Sequence, residues 1–171
     1  PRISPDGRWL LVTMCDYGCF PVYRSSSDLY MIDLKAAEAT GQYEYRRLDI
    51  NSDASESWHS FSSNGRWIAF SSKRLSHIFT RTFFAYLDKN GRVHKPFVLP
   101  QKDPLFYDSC LWTFSVPELT VDAVRARKES IGKVVRGSDA VGVQIPITMA
   151  TPKAGAVTHT EPWRQGSLER E

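Results

Sequence analysis

Short apolar runs, each closed by a turn sequence, set the pattern of this chain. Arg8-Trp9-Leu10-Leu11-Val12-Thr13 and Arg66-Trp67-Ile68-Ala69-Phe70-Ser71 are nearly continuous apolar stretches rich in β-branched and aromatic residues. Such runs, too short for a helix and bounded by turns, predict buried strands. Ser57-Trp58-His59-Ser60-Phe61 alternates polar and aromatic positions and predicts a half-buried strand before the second run. Asp28-Leu29-Tyr30-Met31-Ile32-Asp33-Leu34 and Phe83-Phe84-Ala85-Tyr86-Leu87-Asp88 predict third strands, each ending in an aspartate region. Turns are expected at Thr40-Gly41 and at Asn90-Gly91, the latter a strong hairpin signal. Fourth strands follow over 43–48 and 93–99, and Pro96 assigns the second of these to a sheet edge, because proline cannot donate to an inner ladder.

These elements recur in register. Ser4-Pro5-Asp6-Gly7-Arg8-Trp9 aligns with Ser62-Ser63-Asn64-Gly65-Arg66-Trp67 at an offset of 58 residues. Pro-Asp-Gly and Ser-Asn-Gly share turn chemistry: the aspartate or asparagine tolerates the left-handed region and glycine accepts positive φ. Two tandem four-stranded units are therefore predicted, over 1–55 and 56–104. Each carries an insertion between its second and third strands, over 15–27 and 73–82. Tandem antiparallel units of this kind predict an all-β chain made of two blades of a β-propeller, a partial ring. A β-sandwich with an accidental echo is the alternative. Because the repeat opens at Ser4 and repeat units cover one another's faces, further blades upstream or self-association are expected.

The Ser4-Pro5-Asp6-Gly7-Arg8-Trp9-Leu10 motif, followed by Asp28-Leu29-Tyr30-Met31-Ile32-Asp33-Leu34, resembles the TolB-like (WD40-like) β-propeller repeat. The stretch from Glu56 to Pro104 is similar to the last blades of bacterial envelope proteins with such propellers. The resemblance implies a six-bladed ring in the periplasm or at the cell surface. Similar repeats occur in propellers that precede prolyl oligopeptidase-like catalytic domains.

Past Pro104 the pattern changes. The aromatic-rich stretch 105–114 is expected to pack on the last unit, and a short helix is expected between Pro117 and Ile131, with proline in its first turn. The region 132–171 reads as a flexible tail, with one more strand over 141–147 as the alternative.

Composition narrows the function classes. The net charge of +3 carries no basic stripe of the kind that binds nucleic acid, and no apolar run is long enough to span a bilayer. Cys15, Cys19 and Cys110 are too few for a disulfide framework and too sparse for a zinc site, so they read as free thiols, with a Cys15–Cys19 bridge as the alternative. No Gly-x-Ser-x-Gly elbow and no phosphate-binding glycine loop occurs. Asp53, Glu56 and His59 form the tightest acid–histidine group in the sequence, and Lys73, Arg74, Arg81 and Arg92 the basic residues of the second unit's loops. These are candidates for a partner or ligand face at the channel mouth. A hydrogen-bonded strand histidine and a solvated loop surface are the plainer readings. The expectation is a non-enzymatic binding or scaffold module for a protein partner, without cofactor or metal. An accessory propeller of a larger hydrolase, or a carbohydrate- or metal-binding propeller, is the alternative.

Overall fold

The computed structural model describes residues 1–137. The chain forms two compact units, Pro1–Arg125 and one that begins at Ala126. The first is mostly strand, arranged as two four-stranded antiparallel sheets. Strands β1 (Arg2–Ile3), β2 (Trp9–Met14), β3 (Asp28–Asp33) and β4 (Tyr45–Arg47) make the first sheet in that order. Strands β5 (Glu56–Phe61), β6 (Trp67–Ser72), β7 (Arg81–Tyr86) and β8 (Phe97–Val98) make the second. The expected all-β class holds, and among the described residues neither sheet closes on itself.

The two turns that open the repeat match bond for bond. Asp6 Oδ1 accepts from the Arg8 N–H at 3.1 Å and from the Ser4 hydroxyl at 2.6 Å. Asn64 Oδ1 accepts from the Arg66 N–H at 3.0 Å and from the Ser62 hydroxyl at 2.7 Å. The two serine hydroxyls each accept from a tryptophan N–H, of Trp9 and Trp67, at 2.9 Å. Gly7 and Gly65 sit at φ 71° and 65°, which explains glycine at both places. Ser4 and Asp6 thus do locally what Ser62 and Asn64 do, and the hydrogen bonds hold the Asp6 carboxyl below its ordinary pKa.

The sheets stack face on face. Alternation places Trp9, Leu11, Leu29 and Met31 on one side of the first sheet, and Ile68, Phe70, Phe83 and Ala85 on one side of the second. These two faces meet in a single buried core, which Leu48, Ile50, Leu87 and Val93 complete. Phe70 and Phe83 stack at 5.9 Å inside it. Polar groups tie the same interface. Arg8 donates to the Lys89 carbonyl at 3.1 Å, Arg46 donates to the Gly91 carbonyl, and Arg74 donates to the Ile50 carbonyl at 2.8 Å.

Gly91 shows how close the approach is. It has φ 85°, and a Cβ there would overlap the ring of Trp9. Gly91→Ala is expected to cost about 2 kcal/mol, from left-handed strain plus displacement of the ring. A urea midpoint unchanged in that variant would contradict the packing.

Several boundaries differ from expectation. The third strand of the first sheet stops at Asp33, and helix α1 (Leu34–Thr40) follows, where strand and then turn were expected. Asp33 Oδ1 accepts from the N–H groups of Lys35 and Ala36, and Gly41 closes the helix at φ 73°. The N-cap and a run of good helix formers outweigh the apolar Leu34 that extended the strand reading. In the second sheet β7 begins at Arg81 and stops at Tyr86, because the Asp88 side chain takes the Asn90 and Arg92 N–H groups and starts the turn. The edge strands are shorter than read, and Val93 makes only a single bridge, to Leu87. Both insertions do join second to third strands, and the first contains a 3-10 turn at Pro21–Tyr23.

The stretch 105–114 contains helix α2 (Phe106–Ser109) and is tied to the second unit: the Tyr107 hydroxyl donates to the Leu99 carbonyl at 2.7 Å, the Phe114 N–H to the Thr80 carbonyl at 3.1 Å, and the Arg81 guanidinium to the Cys110 carbonyl. No helix covers 117–127. The helix begins later, as α3 (Lys128–Arg136), so the first residues of the expected tail are helical. Val116 takes φ 46°, and the β-branched Val121 and Val124 disfavour a helix over 117–127. The alternative strand over 141–147, and the rest of the expected tail from 138 on, lie outside the described residues.

Candidate partner-binding face

Strand β5 is the inner neighbour of β6 and lies against the first sheet. This placement decides what its polar side chains do. Glu56 is fully buried. Its Oε1 pairs with the Arg74 guanidinium at 2.9 Å and accepts from the Ser52 hydroxyl at 2.6 Å and the Ser72 hydroxyl at 2.8 Å. Its Oε2 takes the Ser52 N–H at 3.1 Å. Arg74 also lies 4.7 Å from the Phe83 ring centre and 5.5 Å from that of Phe70. The arrangement is a closed internal network joining β5, the loop after β6 and the end of the first sheet.

His59 is also buried. Its Nε2 lies 2.9 Å from the Leu11 carbonyl and its Nδ1 lies 3.0 Å from the Thr13 hydroxyl. A neutral ring that donates from Nε2 and accepts at Nδ1 satisfies both contacts. Burial pushes its pKa down to about 4; the Leu11 carbonyl partly opposes the shift, and the N-terminal ammonium and Arg2 add to it. The histidine is a cross-sheet fastener between the two repeats.

Arg81 is 2% exposed. It donates to the Cys110 carbonyl at 2.5 Å and to the Trp112 carbonyl, with the rings of Phe79 and Tyr107 each 5.3 Å away. It anchors the aromatic stretch after β8. The structure therefore brings Glu56 and Arg74 together, sends His59 to the first sheet and sends Arg81 to the chain beyond Pro104. Glu56, His59 and Arg81 are spent inside the fold and do not present a face to a partner. Asp53 is exposed on the segment between the sheets, and Arg92 is exposed beside the Asn90-Gly91 turn.

Lys73 alone of the candidates sits at a surface suited to binding. Its Nζ lies 5.2 Å from the Tyr23 ring, so it joins the insertion after β2 to the loop after β6. A cleft of about 220 Å³ opens between them, lined by Val22, Tyr23, Arg24, Ala54, Lys73 and His77. The same two segments carry large exposed apolar side chains. Tyr17, Phe20 and Tyr23 are 65%, 64% and 75% exposed in the first insertion, and Leu75 and Ile78 are 53% and 68% exposed in the second loop. Phe20 and Tyr23 meet edge to face at 6.4 Å, and Arg24 lies 3.7 Å from the centre of the Tyr17 ring. Exposed apolar residues of this size, several on one short segment, mark interaction surfaces. The signal was in the sequence: aromatic residues in segments that no strand needs.

Among the described residues no group of three or more His, Cys, Asp or Glu side chains is placed to hold a metal ion. Cys15, Cys19 and Cys110 are free thiols. Among the described residues no helix is long and apolar enough to cross a membrane. The fold and site together define an all-β protein of two stacked, repeat-related four-stranded sheets with an aromatic loop face. Comparison with protein-family models, with curated proteins and with solved structures finds no match for this chain.

Proposed function

We propose that the two sheets are consecutive blades of a TolB-like β-propeller, and that the chain is a non-enzymatic module that binds a protein partner through its loop face. The setting that the resemblance implies is the bacterial envelope, in the periplasm or at the cell surface. The observation that carries the binding reading is the exposure of Tyr17, Phe20, Tyr23, Leu75 and Ile78 on the two segments that join second strands to third strands, which meet where Lys73 lies over the Tyr23 ring. Loops projecting from a rigid sheet scaffold are where such folds place recognition. The blade reading is supported by the matched turns of Ser4–Trp9 and Ser62–Trp67 and by stacking through a shared apolar core. The titratable side chains nearest the core, Glu56 and His59, are engaged in holding the sheets together and are poorly placed for chemistry on a substrate.

The experiment is affinity capture from an envelope fraction, with the protein and with a variant carrying Phe20→Ser, Tyr23→Ser and Ile78→Ser. The expected result is one specifically retained protein, lost in the variant, whose fold is preserved because all three residues are exposed. Equal retention by both proteins, or no retained protein together with turnover of a substrate, would refute the reading.

A further inference from the structure

The cleft beside Lys73 lies at the end of the sheets where β2 and β6 finish and β5 begins. Its walls come from both repeat units: the insertion after β2, the residues before β5 and the loop after β6. These segments are fixed in place. The Lys73 N–H donates to the Ser55 carbonyl at 3.0 Å, and the His77 N–H donates to the Lys73 carbonyl at 2.7 Å. Val22 anchors the first insertion, at 4% exposure.

The basic residues Arg24, Lys73 and His77 line this cleft, and no acidic residue does. Among the described residues neither Arg24 nor Lys73 is in an ion pair, whereas the neighbouring Arg74 pairs with Glu56. Aromatic rings hold both cations. The Arg24 guanidinium lies 3.7 Å from the centre of the Tyr17 ring, and Lys73 Nζ lies 5.2 Å from that of Tyr23. Such stacking orders a cationic side chain without neutralising it. Two carboxylates stand nearby in sequence. Asp16 accepts from the Ser26 hydroxyl at 2.5 Å and from the Tyr17 N–H at 2.9 Å, and Asp53 is exposed. The wall also holds an unsatisfied hydroxyl. Ser55 is 3% exposed, and its Oγ has no hydrogen-bond partner among the described residues. Buried hydroxyls in that state are rare. The other two, Ser57 and Ser71, oppose each other across β5 and β6, whereas Ser55 belongs to the cleft.

We propose that this cleft takes an aspartate or glutamate side chain from an acidic segment of the protein partner. Arg24 and Lys73 supply the counter-charge, and the Ser55 hydroxyl gains the acceptor it lacks. Tyr23, 75% exposed beside Lys73, offers apolar surface to the rest of the segment. The assignment rests on the loop face being the partner-binding surface and adds the chemistry of that partner. A carboxylate fits better than a phosphate. Phosphate sites draw on free backbone N–H groups at helix N-termini and nests. Here the N–H groups of Arg24, Ser76, His77 and Phe79 are already bonded within their own turns, which leaves side-chain donors.

The test is an NMR titration of the isotope-labelled chain with end-blocked tetraglutamate, with tetraglutamine and with inorganic phosphate. Saturable shifts are expected at the amides of Arg24, Ser55, Lys73 and His77 with tetraglutamate, and none with tetraglutamine. Arg24→Gln and Lys73→Gln are each expected to weaken binding about threefold, and the double variant roughly tenfold, as for partly exposed ion pairs. Added salt is expected to weaken it in the unaltered chain, which keeps the test intact if a variant misfolds. Shifts absent from these amides, shifts shared equally by other surface lysines, or tighter saturation by phosphate than by tetraglutamate would overturn the proposal. Capture of an envelope protein that depends on Phe20, Tyr23 and Ile78 but is indifferent to Arg24 and Lys73 would overturn it too, and leave the loop-face reading standing. A chain that binds tetraglutamate in this cleft yet captures no envelope protein overturns the loop-face reading alone.

Discussion

Replacing Arg74 with methionine is expected to destabilise the protein by about 3–5 kcal/mol, the range for removing one partner of a buried ion pair. Glu56 has no access to solvent and Arg74 little, with side-chain exposures of 0% and 17%. Without the guanidinium, the carboxylate retains two hydroxyls and one backbone N–H but no counter-charge. Methionine preserves most of the packing against Phe70 and Phe83, so the loss isolates the charge. The double variant Glu56→Gln, Arg74→Met is expected to recover much of it, because the orphaned charge is then gone. Urea denaturation of the wild type, the single variant and the double variant measures both effects. A single variant within about 1 kcal/mol of wild type, the usual worth of an exposed pair, would place the pair at the surface instead.

Acidification from pH 6.5 to pH 4 is expected to remove about 3 kcal/mol of stability through His59 alone, at about 1.4 kcal/mol for each unit of the shift. The folded pKa of about 4 lies below the ordinary 6.5. Between those values the unfolded chain holds a proton that the folded chain refuses, so stability rises with pH. The contribution is complete above pH 6.5 and is lost as pH falls towards 4. The carboxylates of Asp6, Asp16, Asp33 and Asp88, also held below their ordinary values, lose their share only at lower pH. His59→Gln is expected to flatten the profile between pH 6.5 and 4. It also lowers stability at pH 7, since the Leu11 and Thr13 contacts are lost or lengthened. An unchanged slope in that variant would assign the acid sensitivity elsewhere.

The hairpins were legible in the sequence because their causes are local. Ser4, Asp6 and Gly7 make their bonds within five residues, as do Ser62, Asn64 and Gly65. Helix α1 was not, because Leu34 extends an apolar run and only the Asp33 cap divides strand from helix. The fate of Glu56 and His59 was hidden by two non-local facts. Alternation through Ser57, Trp58 and His59 fails at the bulge, and β5 is covered by the first sheet, so residues that looked like a channel-mouth cluster turn inward. Arg81 was misread for the same reason: the chain that buries it lies about thirty residues away, at Cys110 and Trp112. The loop face was half legible. The insertions were found by length, while Tyr17, Phe20 and Tyr23 gained meaning only when the second loop was seen beside them.

The two sheets are repeat-related units joined through one shared core. Native-state hydrogen exchange tests it residue by residue. Amides of Leu11 and Met31 in the first sheet and of Phe70 and Phe83 in the second are expected to exchange with the same opening free energy, equal to that of global unfolding. A first sheet whose amides exchange through a separate, lower-energy opening while the second stays closed would contradict it.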